Sequence, residues 1–442
     1  MAKKKETAQA VQTTANEPRV RMGSDLLDLL IGGAKGVYGL PFGMIIQIWG
    51  DSGCGKSAIK NEMIASTYWA MGGPKAKLVW ESDDAETGDS FDTGNMYGVE
   101  IHPDVRKIGP YKFEDSETVE EMDGKLTNMI DWIPSDMYGI YAIDSIDGLA
   151  DKSKKAKEAK RAKQQASGEE VKDEGDYGAQ LAKFLSQDFF RLKHKPLKKK
   201  HIALIIVSQT RSNMGAVGMF APKRKTGNGD ALEFYCHTRL KLSRVADIKR
   251  EGTVVGAVVK AKTTKSKTPR PYREIMYTFY CDYGIDNIGS NIDYLFDLLD
   301  EKGHLGKAAD HIAWSANAKP KNLTNLKAWL EQQGWSGECK ADRKAAEGNN
   351  ALSVDWIINW VEEDPDRKTK FDEYFGEEFT RDELIKLCED NPEMAKELTE
   401  RVRAKWEAHE DAIATKRPAK YGNNYGGNTV AEPAEESTES AT

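Results

Sequence analysis

Eight residues, Gly50-Asp-Ser-Gly-Cys-Gly-Lys-Ser57, constrain the fold of this chain more than any other stretch. They follow the apolar run Met44-Ile-Ile-Gln-Ile-Trp49 and precede a segment whose Ile59, Met63 and Ala70 share one helical face. Strand, glycine-rich turn, helix is the setting in which this pattern cradles phosphate. The glycines let backbone N–H groups converge on phosphate oxygens, and the helix N-terminus adds the positive end of its dipole. Gly50, Asp51, Ser52, Gly53, Cys54, Gly55, Lys56 and Ser57 are therefore the expected ATP or GTP site. Lys56 would place its charge on the β- and γ-phosphates, and Ser57 would be a ligand of Mg2+. A loop of this type serves many unrelated activities, so function has to come from elsewhere in the chain.

The alternation continues downstream. Lys77–Glu81, Gly139–Asp144 and Ile202–Val207 are short apolar runs separated by helix-length segments. That spacing predicts an α/β fold with a mostly parallel sheet covered on both faces. Val254–Lys262 and Glu274–Tyr280, split by a turn-rich stretch with Lys and Pro, predict a hairpin that extends the sheet. Beyond about residue 301 the pattern turns helical. Thr380-Arg-Asp-Glu383 forms a capping box, and Asn391-Pro392 begins another helix with Asn as N-cap and Pro in the first turn. Five tryptophans between Trp314 and Trp360 suggest a small core of their own. The expected organisation is a flexible arm over 1–20, a core over 21–300, a smaller, mainly helical C-terminal domain over 301–415, and a disordered acidic tail over 416–442. The tail carries Glu432, Glu435, Glu436 and Glu439, and would compete with an anionic ligand for basic surfaces.

Composition narrows the class. A charged fraction of 31% and a mean hydropathy of −0.63 suit a soluble protein, and no apolar run is long enough to span a bilayer. Met1-Ala-Lys-Lys-Lys-Glu has no apolar stretch behind its lysines, unlike a secretory signal. The five cysteines form no Cys-x-x-Cys pair, which argues against a zinc site or a disulfide framework and for the cytoplasm. With a net charge of −7, contact with nucleic acid has to come from local basic patches.

Two acidic and two basic stretches offer chemistry. Asp144 ends an apolar strand ahead of Ser145, where a carboxylate would hold the Mg2+ shell. Glu81-Ser-Asp-Asp84 ends another; one of its acids could orient water toward a γ-phosphate, or the run is a solvated loop. Residues 152–163 hold seven Lys or Arg and one Glu, including Lys152, Lys154 and Lys155. Alone they read either as a solvated helical face or as a salt-dependent nucleic-acid contact. In 208–230, Arg211, Lys223, Arg224 and Lys225 alternate with Met214, Met219 and Phe220 among glycines that include Gly227 and Gly229. Cations would track phosphate there while apolar side chains stack on or wedge between bases.

Several segments, taken in order, resemble the RecA recombinase family. Met22-Gly-Ser-Asp-Leu-Leu-Asp28 and Gly39-Leu-Pro-Phe-Gly43 resemble its entry into the P-loop, and Ile143-Asp-Ser-Ile-Asp147 its Walker B strand. Ser208-Gln-Thr-Arg211 through Thr226-Gly-Asn-Gly-Asp-Ala-Leu-Glu-Phe-Tyr235 resembles its second DNA-binding loop and the helix after it. Lys265-Ser-Lys267 with Pro271 resembles a hairpin that reaches a neighbouring subunit's ATP, and Asn391-Pro-Glu-Met-Ala-Lys-Glu397 a helix near the family's C-terminus.

The resemblance implies a RecA-like P-loop ATPase core that uses ATP and Mg2+. It implies DNA-binding loops over about 150–178 and 208–230, filaments on single-stranded DNA, and strand exchange with duplex DNA. Single-strand-binding or loader proteins are further implied partners, and no membrane is. Gln209 would sense the γ-phosphate, and Lys265 and Lys267 would contact ATP in trans. The family's catalytic acid falls on Asp83, where most members have Glu; Glu81 or Asp84 could substitute. The long basic stretch after Asp144 and the expanded 305–380 region are departures suited to a phage-type or otherwise divergent member. A RecA-fold motor or helicase, and an ATP-dependent annealing scaffold favoured by the shorter acid at 83, stand as alternatives.

Overall fold

The computed structural model describes residues 17–32, 35–86, 91–103, 106–150, 183–212, 224–226, 229–268, 270–314, 323–335, 337–340, 346, 351–375 and 378–415. Among them, nine strands form one mixed sheet. They are β1 (Ile45–Gly50), β2 (Leu78–Asp84), β3 (Tyr138–Asp144), β4 (Ile202–Ser212), β5 (Arg224–Thr226), β6 (Thr238–Arg250), β7 (Thr253–Ser266), β8 (Glu274–Tyr280) and β9 (Gly284–Asp286). Their spatial order is β9-β8-β7-β6-β1-β4-β3-β2, with β5 paired to β4. Strands β6, β1, β4, β3 and β2 run parallel. From β6 to β9 the sheet continues antiparallel. The chain thus has the α/β fold that its apolar runs predict. Strand β6 was not foreseen, because its buried Leu240 and Leu242 alternate with Arg239, Lys241 and Ser243 and leave no apolar run.

Side chains two apart on a strand share a face, and the central strands obey this strictly. Ile46 and Ile48, Ile140 and Ala142, and Ala203 and Ile205 enter one core. Helix α1 (Asp25–Gly32), helix α2 (Lys56–Ala70) and helix α6 (Asn287–Leu295) pack into that core. Ile45, Tyr141, Ile143, Ile202, Leu204 and Ile206 enter the other core. It is covered by α3 (Val119–Trp132) and α4 (Phe190–Lys199). Helix α5 (Gly229–Tyr235) leads from β5 into β6.

After α6, β10 (Ile312–Ala313) pairs antiparallel with β11 (Glu378–Phe379). Between them lie α7 (Leu323–Gln332), α8 (Val354–Glu362) and α9 (Pro365–Phe375). Leu326, Trp329, Leu330, Ile357 and Phe371 form a separate cluster there. The chain then returns to the main core through α10 (Arg381–Asp390) and α11 (Pro392–Ile413), which bury Leu384, Leu398, Val402 and Trp406. Both caps read from the sequence are formed: Glu383 N donates to Thr380 Oγ1 at 3.3 Å, and Glu393 N donates to Asn391 Oδ1 at 3.1 Å. Asp25 fastens the start of α1 to this end of the chain. It accepts from Asn287 Nδ2 at 3.0 Å, Asn291 Nδ2 at 2.9 Å and Thr399 Oγ1 at 3.0 Å.

Glu62, on the P-loop helix α2, is buried and accepts the Ile285 N–H of β9 at 2.8 Å. Burial pushes its pKa from 4.5 up to about 7, against the opposing pull of that hydrogen bond. The folded state therefore keeps a proton that the unfolded chain has already released. The stabilisation is complete below about pH 4.5 and is lost as pH rises through about 7. Glu62→Gln, which cannot ionise, is expected to be more stable than wild type at pH 8 by up to about 3 kcal/mol. The difference should shrink as pH falls toward 4.5. Urea unfolding at pH 5 and pH 8 measures it, and a pH-independent difference would refute the assignment.

Candidate active site

The P-loop leaves the carboxyl end of β1 and turns into α2. A Cβ on Gly50 would lie 2.4 Å from the Leu242 carbonyl oxygen and 2.7 Å from Cys54 Sγ, so only glycine fits where β6 passes. Gly55, immediately before α2, has φ +83°, a left-handed conformation that favours glycine. Asp51, Ser52 and Gly53 are exposed, whereas Cys54 is buried and its thiol pKa is pushed up by that burial. Lys56 Nζ donates to the Asp51 carbonyl oxygen at 2.8 Å, which lays the ammonium across the loop.

Because β1, β4, β3 and β2 are parallel neighbours, their carboxyl ends share one rim, where open α/β sheets bind ligands. On that rim the Ser57 side chain hydrogen-bonds Asp144, and Lys60 Nζ lies 3.6 Å from Asp144 Oδ2. Burial raises the Asp144 pKa; Lys60 and Ser57 pull it down, and the charges of Asp84 and Glu86 push it up. The Thr210 hydroxyl donates to the Asp51 carboxylate. Next to it, Gln209 Nε2 donates to Glu86 Oε1 at 2.9 Å, and the Ser145 hydroxyl donates to the same oxygen. The Gln209 backbone N–H donates to Asp147 Oδ2 at 2.8 Å. One carboxylate, one amide and one hydroxyl thus converge beside a phosphate-type loop.

Comparison with known proteins gives the same direction. The family described as RecA N-terminal domain matches residues 158–286. "Protein RecA" of Sulfurovum sp. is 28% identical over 321 residues, covering 69% of this chain and 82% of that protein. "Protein RecA" of Campylobacter jejuni is 27% identical over 355 residues, covering 77% and 87%. "Protein RecA" of Helicobacter pylori is 29% identical over 292 residues, covering 64% and 72%. The chain is similar to RecA proteins over 64–77% of its length.

The two acids that the sequence reading offered for catalysis, Asp83 and Glu81, lie on the other face of β2. Asp83 is wholly buried and faces away from the P-loop helix. It accepts from Ser116 N at 2.7 Å, Ser116 Oγ at 2.6 Å and Tyr141 Oη at 2.6 Å, with Lys125 Nζ at 3.6 Å. Glu81 shares that face by the two-residue strand period, and burial together with the charges of Asp83 and Glu81 raises the Tyr141 pKa well above its ordinary value. The carboxylate that meets Ser145 and Gln209 is Glu86, in the turn after β2, which the sequence reading passed over. Strand parity was the available signal: 81 and 83 point to one core, and the first Glu past the strand end is free of that constraint.

The other expected residues fall in three places. Lys265 pairs across β6 with Arg239, which pairs with Gln47, roughly 10 Å back along β1 from Gly50. Its ammonium donates to the carbonyl oxygens of Glu233 and Phe234 at the end of α5, the latter at 2.9 Å. Burial and the neighbouring Lys267 lower its pKa. Lys267 is exposed, as is Phe234 at 71%, a large apolar side chain that sequence reasoning did not single out. Arg211, Arg224 and Lys225 lie on the paired strands β4 and β5, and Gly229 opens α5. Lys152, Lys154, Lys155, Met219, Phe220, Lys223 and Gly227 lie outside the described residues.

The donor set suits Mg2+ and nucleotide. Among the described residues no three His, Cys, Asp or Glu gather into a metal cage. Mg2+ ordinarily takes one or two carboxylates with phosphate oxygens and water, and Ser57 with Asp144 offers oxygen ligands of that kind. Among the same residues no helix is long and apolar enough to cross a membrane.

Glu86 and Asp83 can be told apart experimentally. Glu86→Gln should lower ATP turnover by about 10²-fold or more while ATP binding persists. Asp83→Asn should lower the unfolding midpoint with a smaller effect on turnover per folded molecule. Steady-state ATPase and thermal unfolding of both variants make the comparison; the reverse pattern would return the role to Asp83.

Proposed function

We propose that this chain is an ATP-dependent DNA recombinase that forms filaments on single-stranded DNA and catalyses homologous pairing and strand exchange. The observation that carries the reading is the contact between Gln209 and Glu86. Gln209 stands on β4, the strand that continues into the β4–β5 ribbon and so into the stretch read as a DNA-binding loop. A side chain touching both the nucleotide rim and the base of that loop can make DNA affinity depend on nucleotide state.

Within this reading, residues 50–57 hold the phosphates of ATP, and Ser57 with Asp144 holds Mg2+. Lys56 balances phosphate charge, Glu86 orients the attacking water, and Gln209 reports the γ-phosphate to the loop. Bound ATP supplies the phosphoryl group whose loss resets the loop. Lys265 and Lys267, at the far end of β1 from their own P-loop, serve the ATP of the next protomer, and the exposed Phe234 beside them joins the same contact. Arg211, Arg224 and Lys225, with Met219, Phe220, Lys223 and the 152–155 lysines, contact single- and double-stranded DNA. Residues 21–300, together with α10 and α11, supply the ATPase core, and the cluster between β10 and β11 is the second unit. The annealing-scaffold alternative drew its support from a shortened acid at 83; in the present reading Glu86 takes the place of that acid.

The decisive experiment is ATP-dependent strand exchange between homologous single-stranded and duplex DNA, with Lys56→Ala as control. Wild type should make homology-dependent joint molecules and the variant none. Unwinding without homology dependence would favour a motor, and annealing without turnover a scaffold. Lys265→Ala should lower ATPase in DNA-assembled protein while leaving ATP binding by dispersed protein near wild type, as equilibrium nucleotide binding would read.

A further inference from the structure

Lys60 is wholly buried, yet it is a lysine. An ammonium leaves water only at a large cost unless a partner compensates it. One of its partners is Asp144 Oδ2 at 3.6 Å, at the end of β3. Ser57 and Lys60 are three residues apart on α2 and therefore share a helical face. Both reach Asp144: the Ser57 side chain by a hydrogen bond, Lys60 by charge. A carboxylate of the Mg2+ shell is thus tethered to the P-loop helix twice, once through a hydroxyl and once through a lysine.

We propose that Lys60 is a resident counter-ion and positioning residue for Asp144, which keeps that carboxylate oriented and charge-balanced when nucleotide binds without Mg2+. The inference rests on reading Asp144 as the carboxylate of the Mg2+ shell. Without a cation nearby, Asp144 would face nucleotide phosphates as like charge, and nucleotide would be held well only with Mg2+ between them. Lys60 supplies part of that positive charge from the protein itself. It also competes with Mg2+ for the same carboxylate, so the site trades metal affinity for tolerance of metal-free nucleotide. The P-loop lysine does not duplicate this role, because Lys56 lies over the loop on the Asp51 carbonyl.

The test is equilibrium binding of N-methylanthraniloyl-ADP to the full chain, in Mg2+ and in EDTA, read as the ratio of the two dissociation constants. Lys60→Met should raise the EDTA-to-Mg2+ ratio at least about tenfold over wild type, and Lys60→Arg, which keeps the charge, should restore most of the difference. In an Asp144→Asn background, adding Lys60→Met should leave the ratio unchanged, because the charge that Lys60 balances is gone. The double variant removes both charges and can be measured if Lys60→Met alone does not fold. Equal ratios in wild type and Lys60→Met, or a further change on adding Lys60→Met to Asp144→Asn, would overturn the role of Lys60. An Asp144→Asn ratio identical to wild type would overturn the reading of Asp144 as well.

Discussion

Strand β1 has a parallel neighbour on each side, β4 and β6, and an apolar core against each face. Its backbone cannot shift without breaking pairings along both edges. The loop leaving it at Gly50 inherits that rigidity, since the Leu242 carbonyl of β6 closes the space a side chain would need. The rest of the site is referred to this fixed point. Asp51 meets Thr210 at the end of β4, and Ser57 and Lys60 meet Asp144 at the end of β3. Preorganised donors need a rigid support, and here the sheet supplies it.

The same sheet explains why acids close in sequence have different surroundings. In β2 the side chains of 81 and 83 enter the core under α3, while Glu86 lies past the strand, where backbone direction is no longer dictated by pairing. Asp83 is tolerable in that core because Ser116, Tyr141 and Lys125 surround it; a buried carboxylate without such partners would be strongly destabilising. Its network also has a structural consequence. It ties the end of β2 to the segment before α3, where Asp115 Oδ1 accepts the Asp84 N–H at 3.0 Å. Both residues preceding the turn that carries Glu86 are thereby held.

At the other edge, the C-terminal helix does similar work for the turn that follows Lys265 and Lys267. The turn after Lys267 carries Arg270 and Arg273. Arg270 Nη1 meets Glu407 Oε2 at 3.0 Å, and Arg273 Nη2 meets Glu410 Oε2 at 2.8 Å, both on α11. The Arg273 hydrogen bonds hold the Glu410 pKa below its ordinary value. With Asp25 binding α6 and α11 to α1, the end of the chain is part of the main core. The tryptophan-containing cluster between β10 and β11 is the one that stands apart.

The sequence by itself determined the glycine-rich turn after β1, the parallel strands around it, the two helix caps near the C-terminus and the likeness to RecA proteins. Each of these is local or ordered along the chain: a glycine pattern, an apolar run, a capping box, motifs in a fixed succession. Strand β6 was hidden because its alternation of Leu with Arg and Lys becomes legible only once one face is known to be buried. Tertiary structure alone decided which acid reaches the rim, that Lys60 is buried against Asp144, and that α11 returns to clamp the turn after Lys267. Those outcomes depend on which face a side chain takes and on pairings between residues tens to more than a hundred positions apart, and the spacing of residues along the chain does not carry that information.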